Sequence, residues 1–151
     1  MGRQRSPNAS PTERAIDECL ALGWHPIVCE AWQKIGLNWR RKDFAGFGDI
    51  VACDRLTRQL VMIQVTDCTS HLARIKKLCD RPTDYRKLNA WIKRASDCCS
   101  WLEAGGRIVV WSWKEYKKPP WWRLRETEIF RDMVPLPKKP VQSLIETCQS
   151  K

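Results

Sequence analysis

The chain has 151 residues, 43% hydrophobic and 29% charged, a composition that excludes wholesale disorder and fits one ordinary globular domain. Lys and Arg outnumber Asp and Glu by 27 to 17, and the resulting net charge of +10 points to a phosphate-rich partner. No apolar run approaches the ~18–20 residues that span a bilayer, and Met1 to Pro11 lacks the apolar segment of a signal peptide. These features predict a cytoplasmic protein with no membrane partner. Eight cysteines stand at 19, 29, 53, 68, 79, 98, 99 and 148, without a Cys-x-x-Cys pair. With only His25 and His71 to supplement them, they do not fit a structural zinc site and read as small buried hydrophobes. The nine tryptophans read mainly as core and rim residues, with stacking on bases as the second role.

In chain order, residues 1–9 form a basic tail, 10–133 the α/β domain and 134–151 a C-terminal tail carrying Pro135, Pro137 and Pro140. Ser10-Pro11-Thr12-Glu13 is a capping box that opens a helix ending at Gly23. A first strand is predicted over 25–32, limited by Pro26 to a strand start or an edge. Residues 33–47 read as a connection holding the basic cluster Arg40-Arg41-Lys42. Strands over 48–54 and 60–66 form an antiparallel hairpin. Alternation puts Leu60, Met62, Gln64 and Thr66 on one face and Val61, Ile63 and Val65 on the other. A helix over 70–80 points Leu72, Ile75 and Cys79 inward and leaves Arg74, Lys76 and Lys77 largely outward. A longer helix over 83–104 buries Tyr85, Leu88, Trp91 and the residues that follow at helical spacing, and stops at Gly105-Gly106. Strands over 107–113 and 121–130 complete the order α-β-β-β-α-α-β-β, a mixed α/β arrangement.

The hairpin holds the chemistry. Asp49 follows a glycine at the start of one strand, and Gln64-Val65-Thr66 ends its partner. Gln64 and Thr66 share a face about 7 Å apart. If Asp49 faces the same way, a carboxylate, a carboxamide oxygen and a hydroxyl converge, a set that suits a hard cation such as Mg²⁺. The same residues also fit plainer roles, with Asp49 as a turn or cap residue and Gln64 and Thr66 as the polar face of a strand. Thr69 or Ser70 reads as the N-cap of the next helix, and Asp67 as a loop residue beyond the strand end.

This arrangement resembles the PD-(D/E)XK nuclease superfamily, in the branch of archaeal Holliday junction resolvases and small phage nucleases. The resemblance rests on Glu13 in the first helix, on the approach Arg41-Lys42-Asp43-Phe44-Ala45-Gly46-Phe47-Gly48-Asp49, and on Gln64-Val65-Thr66 at the position of (D/E)-x-K. It covers roughly residues 10–80, about half the chain. It implies a restriction-endonuclease-like fold, a mixed central sheet flanked by helices, and a Mg²⁺- or Mn²⁺-dependent endonuclease acting on DNA, in some members branched DNA and often as a homodimer. Asp49, Gln64 and Glu13 would hold the metal, and Thr66 or Lys42 would position the nucleophile. The sequence departs from the pattern twice. Gln64 replaces the second carboxylate, and Thr66 replaces a lysine that would stabilise charge on the phosphate. Lys42 or Lys77 could reach in for the lysine, and Glu30 for the carboxylate. Arg40, Arg41, Lys42, His71, Arg74 and Lys77 are the candidate DNA contacts. The competing expectation, favoured by both departures, is a nuclease fold that binds nucleic acid without cutting it. A third is an assembly protein that dimerises through its tryptophan-rich late strands.

Overall fold

The computed structural model describes residues 8–29, 31–42, 44–118 and 122–135, with the backbone but not the side chains given at 31–33, 35 and 39–42. Residues 1–7 and 136–151, which hold most of both expected tails, lie outside the described residues, as does Glu30.

Helix α1, Pro11–Ala21, begins as its sequence dictates: the Ser10 hydroxyl accepts from Glu13 N at 3.2 Å, and the Glu13 carboxylate accepts from Ser10 N at 2.6 Å. Gly23, at φ +73°, turns the chain out of the helix. Then follow β1 (His25–Val28), β2 (Ala31–Ile35), β3 (Asn38–Lys42), β4 (Ile50–Asp54), β5 (Gln59–Asp67), α2 (His71–Cys79), α3 (Leu88–Glu103), β6 (Arg107–Glu115) and β7 (Trp122–Ile129). Five strands make one mixed sheet in the order β1-β4-β5-β6-β7; only β5 and β6 run parallel, joined by the crossover through α2 and α3. The α/β class and the helix-flanked mixed sheet are as the sequence reading expects. Pro26 sits on the edge strand β1, where its missing N–H is tolerated.

The sheet separates two cores. On one face, α1 presents Ala15 and Cys19 to Ile50, Ala52, Val61, Ile63, Val109 and Trp111. On the other, α2 and α3 present Leu78, Trp91, Ala95 and Cys98 to Met62, Ile108 and Val110. The predicted alternation of β5 is therefore correct, although Val61 to Thr66 are all buried because helices cover both faces. Trp91, Trp111 and Trp113 are buried and Trp24, Trp101 and Trp122 partly so, which leaves no exposed tryptophan among those whose side chains are described. Trp111 stacks on Trp24 at 5.7 Å and donates to Glu126 at 2.5 Å, while Arg14 lies 3.4 Å from the Trp122 ring centroid and ties α1 to β7. Burial pushes the Cys19 and Cys98 thiols up to about 12, so both are inert apolar filler at neutral pH.

Three expectations change. Residues 33–47 are not a plain connection: β2 and β3 pair into a separate two-stranded ribbon, and the first strand ends at Val28. Its turn, Gly36-Leu37, places glycine at φ +62° in the first central position, which a side chain would resist. Second, α2 is rotated from its predicted phase. His71 and Leu78 are buried, whereas Leu72 is 58% exposed. Third, α3 starts at Leu88, not at 83, after a 3-10 turn, Tyr85–Lys87, which leaves Tyr85 exposed; Asp84 caps that turn by accepting from Arg86 N.

Candidate active site

Asp49 is placed by its neighbours in sequence. The chain doubles back over Phe44 to Gly48, closed by Phe44 N to the Gly48 carbonyl at 3.0 Å. A Cβ at Gly48 would run into the Met62 thioether on β5, which would have to move aside. That close approach presses Asp49 against β5. Its backbone N donates to the Ile63 carbonyl at 3.0 Å, and its own carbonyl accepts from Cys29 N at 2.8 Å. The β4–β5 register ends at Ile50 opposite Ile63, so the next backbone donor of β5 that needs a partner on this side is Val65 N. The Asp49 carboxylate supplies it: Oδ2 accepts from Val65 N at 2.6 Å and also from Gln64 Nε2. Asp49 is 3% exposed, Gln64 2% and Thr66 6%.

Asp49 forms one wall of a cavity of about 530 Å³ at the C-terminal end of β5. The other walls are Ser10, Pro11 and Thr12 at the start of α1, the end of β5 (Val65, Thr66 and Asp67), and Arg74 on α2. This is the end of an open α/β sheet at which ligands ordinarily bind, and the positive end of the α1 dipole borders it. Asp67 is the last residue of β5 rather than a loop residue. Ser70 is the N-cap residue of α2, as one of the two expected candidates, but its side chain makes no capping bond; Asp67 accepts from Ser70 N at 2.7 Å and from the Thr69 hydroxyl at 2.5 Å. The Thr69 hydroxyl above all, with Ser70 N, holds the Asp67 carboxyl below the usual range, so it is ionised at neutral pH. Arg74 is half-buried, and its guanidinium makes no hydrogen bond or ion pair among the described residues. The cavity thus brings together two carboxylates, three hydroxyl residues and one cation.

The other expected site residues are placed differently. Gln64 is beside Asp49 as anticipated, but it turns its amide N–H to the carboxylate and leaves Oε1 buried without a partner. Glu13 is exposed, does not line the cavity, and spends its carboxylate on the Ser10 cap, whose backbone N–H is the main reason its pKa is lowered. Lys77 does not line the cavity either; its carbonyl accepts from Arg94 at 3.1 Å. Arg40, Arg41 and Lys42 belong to β3, with side chains outside the described residues.

His71 is a correction. As a candidate phosphate contact it needs to reach the surface, yet it is fully buried. Its Nδ1 is 2.8 Å from the Ser112 hydroxyl and its Nε2 2.8 Å from the Thr127 hydroxyl, a bridge from α2 to β6 and β7. Burial, and then the charge of Arg125, lower its pKa. The unfolded chain therefore takes up the proton before the fold does, so stability is full above an unfolded pKa of about 6.5 and falls as pH drops through the folded value. The unfolding free energy from urea titrations should decline between pH 7.5 and pH 5 with a slope of up to about 1.4 kcal/mol per pH unit from this group. His71→Gln should remove that slope; an unchanged slope would mean other groups cause it.

Among the described residues no cluster of three or more His, Cys, Asp or Glu is arranged to hold a metal, and no helix is long and apolar enough to cross a membrane. Comparison with protein-family models, with curated proteins and with solved structures finds no match to this chain.

Proposed function

We propose that the chain is a metal-dependent DNA endonuclease of the PD-(D/E)XK type that works with Asp49, Asp67 and Arg74. The observation that carries this reading is the convergence of two carboxylates and an unpaired arginine on one cavity at the end of the sheet. The net charge of +10 supports a polyanionic substrate.

The donors at the cavity are oxygens only, which suits Mg²⁺ or Mn²⁺, and the buried, unpartnered Gln64 Oε1 is the kind of atom such an ion would satisfy after the amide turns over. Asp49 and Asp67 would hold the ion, with Gln64 beside them; once bound it would activate water and polarise the phosphodiester. The chain's own groups do the rest. Arg74 offers the scissile phosphate a fixed guanidinium fork in place of the lysine missing at Thr66. The positive end of α1 favours the same anion, and the Thr66 hydroxyl can accept or donate a hydrogen bond to the attacking water. Asp67 is too acidic to act as a proton donor, so it serves as ligand or acceptor.

Arg74→Ala should lower cleavage at saturating DNA by about 10²-fold through kcat, with Arg74→Lys between it and wild type. Because no described partner depends on the guanidinium, thermal unfolding should stay within a degree or two. Unchanged cleavage by Arg74→Ala would remove this residue from the account. A second reading, a DNA-binding protein that does not cut, is favoured by the hydroxyl of Thr66 and the amide of Gln64 where the family has a lysine and a carboxylate. Salt-sensitive DNA binding with no cutting in any metal would select it.

A further inference from the structure

We infer that residues 31–42 form a DNA-gripping arm whose tip, Leu37, wedges into the base stack of duplex DNA held at the cavity. The inference rests on the reading above in taking DNA as the partner. Among the described residues β2 and β3 pair only with each other and form a sheet of their own. An isolated two-stranded hairpin is marginally stable in water, so this ribbon adds little to the fold that carries it. Its sequence holds Lys34, Arg40, Arg41 and Lys42 and no acidic residue. Four cations on a narrow ribbon whose own sequence holds no acidic residue match phosphates lining a groove. The tip carries a second signal. Leu37, beside Gly36 in the sharp turn, is 95% exposed, the most exposed large apolar side chain among the described residues. In water that exposure is unfavourable; between two unstacked base pairs it is satisfied, as with the apolar wedges of DNA-bending proteins.

The root of the arm lies at the cavity. Cys29 N donates to the Asp49 carbonyl at 2.8 Å, so the chain leaves the sheet for the ribbon at the register of Asp49 and returns to it. Strands of five residues give the arm a reach of about 16 Å. DNA engaged by the arm therefore has its backbone within reach of Asp49 and Arg74, and a kink made by Leu37 falls up to about 16 Å, roughly five base pairs, from the bond to be cut.

The test uses the full chain and a short duplex labelled at both ends, so that one titration reads affinity and bending by energy transfer. Leu37→Ser should bind intact duplex about tenfold more weakly and lose the bend, while a duplex nicked at the wedge site, already unstacked, should lose much less. Arg40→Ala, Arg41→Ala and Lys42→Ala combined should lower the slope of log K against log salt by roughly 2.5–3. Leu37 is exposed at a turn, so its variant keeps the fold. If wild type binds and cuts DNA and both variants match it, the arm is overturned while the cavity reading stands. If wild type binds and bends DNA without cutting, the arm stands and the nuclease reading fails. No binding by wild type overturns both.

Discussion

Asp49→Asn should remove metal-dependent DNA cleavage, by on the order of 10²–10³-fold, and leave the protein folded. The carboxylate has two tasks. It closes the ladder at the end of β5, accepting from Val65 N and Gln64 Nε2, and it forms the wall of the cavity nearest the sheet. Asparagine keeps the shape and one acceptor oxygen for Val65 N, while losing the charge on which a divalent cation depends. Asp49→Ala is expected to behave differently. It strands two buried donors at about 1–3 kcal/mol each, so loss of activity there would mix chemistry with unfolding. Urea denaturation beside the cleavage assay separates the two. Asn at wild-type rate would show that Asp49 is only the structural cap that a turn residue can be.

The largest stability effect is expected at Trp111. It is fully buried on β6, stacks on Trp24 at 5.7 Å, meets Trp113 edge-on at 6.3 Å and donates to Glu126. Trp111→Ala opens a cavity the size of an indole in the core between α1 and the sheet and leaves the carboxylate of the exposed Glu126 without this donor. The cost should be about 3–5 kcal/mol, comparable with the whole stability of many domains of this length. The urea midpoint should fall with the denaturant slope unchanged. A loss under about 1 kcal/mol would show that this core collapses around the gap and that the tryptophan layer is not what holds α1 to the sheet.

What the sequence discloses is what is local. The Ser10–Glu13 box, the β4–β5 hairpin and the two faces of β5 follow from spacings of two to four residues, and each is found as read. Glu13 shows how a local preference decides a role: the carboxylate that a family pattern assigns to metal is three residues from the Ser10 backbone N–H and is used there. The ribbon is less legible because β2 and β3 carry no steady apolar alternation. Its only clear signal is the Gly36-Leu37 turn between two short strands. His71 was illegible for another reason. Its partners, Ser112 and Thr127, are 41 and 56 residues away, and a histidine alone in a basic helix gives no sign of them.

The cavity falls between these cases. Asp49, Thr66 and Gln64 could be paired from the hairpin register. Arg74 could not, because its direction depends on the phase of α2, and the apolar residues Leu72, Ile75 and Cys79 define a face displaced from the one that packs. The true face is centred on His71, Ile75 and Leu78, with a polar residue as its first member. That displacement carries Arg74 from the solvent side to the cavity. Asp67 reads from the sequence as a loop residue beyond the strand end, whereas pairing with Trp113 of β6 extends β5 through it.

The most direct measurement is cutting of labelled DNA by the purified wild-type chain. Linear duplex, single strand, flap and four-way junction would be compared in Mg²⁺, Mn²⁺ and EDTA. The account predicts products with either metal, none in EDTA, and binding that weakens steeply with salt in all three conditions. No products with either metal while binding persists would contradict it, leaving Asp49, Asp67 and Arg74 as a place where DNA is held and not cut.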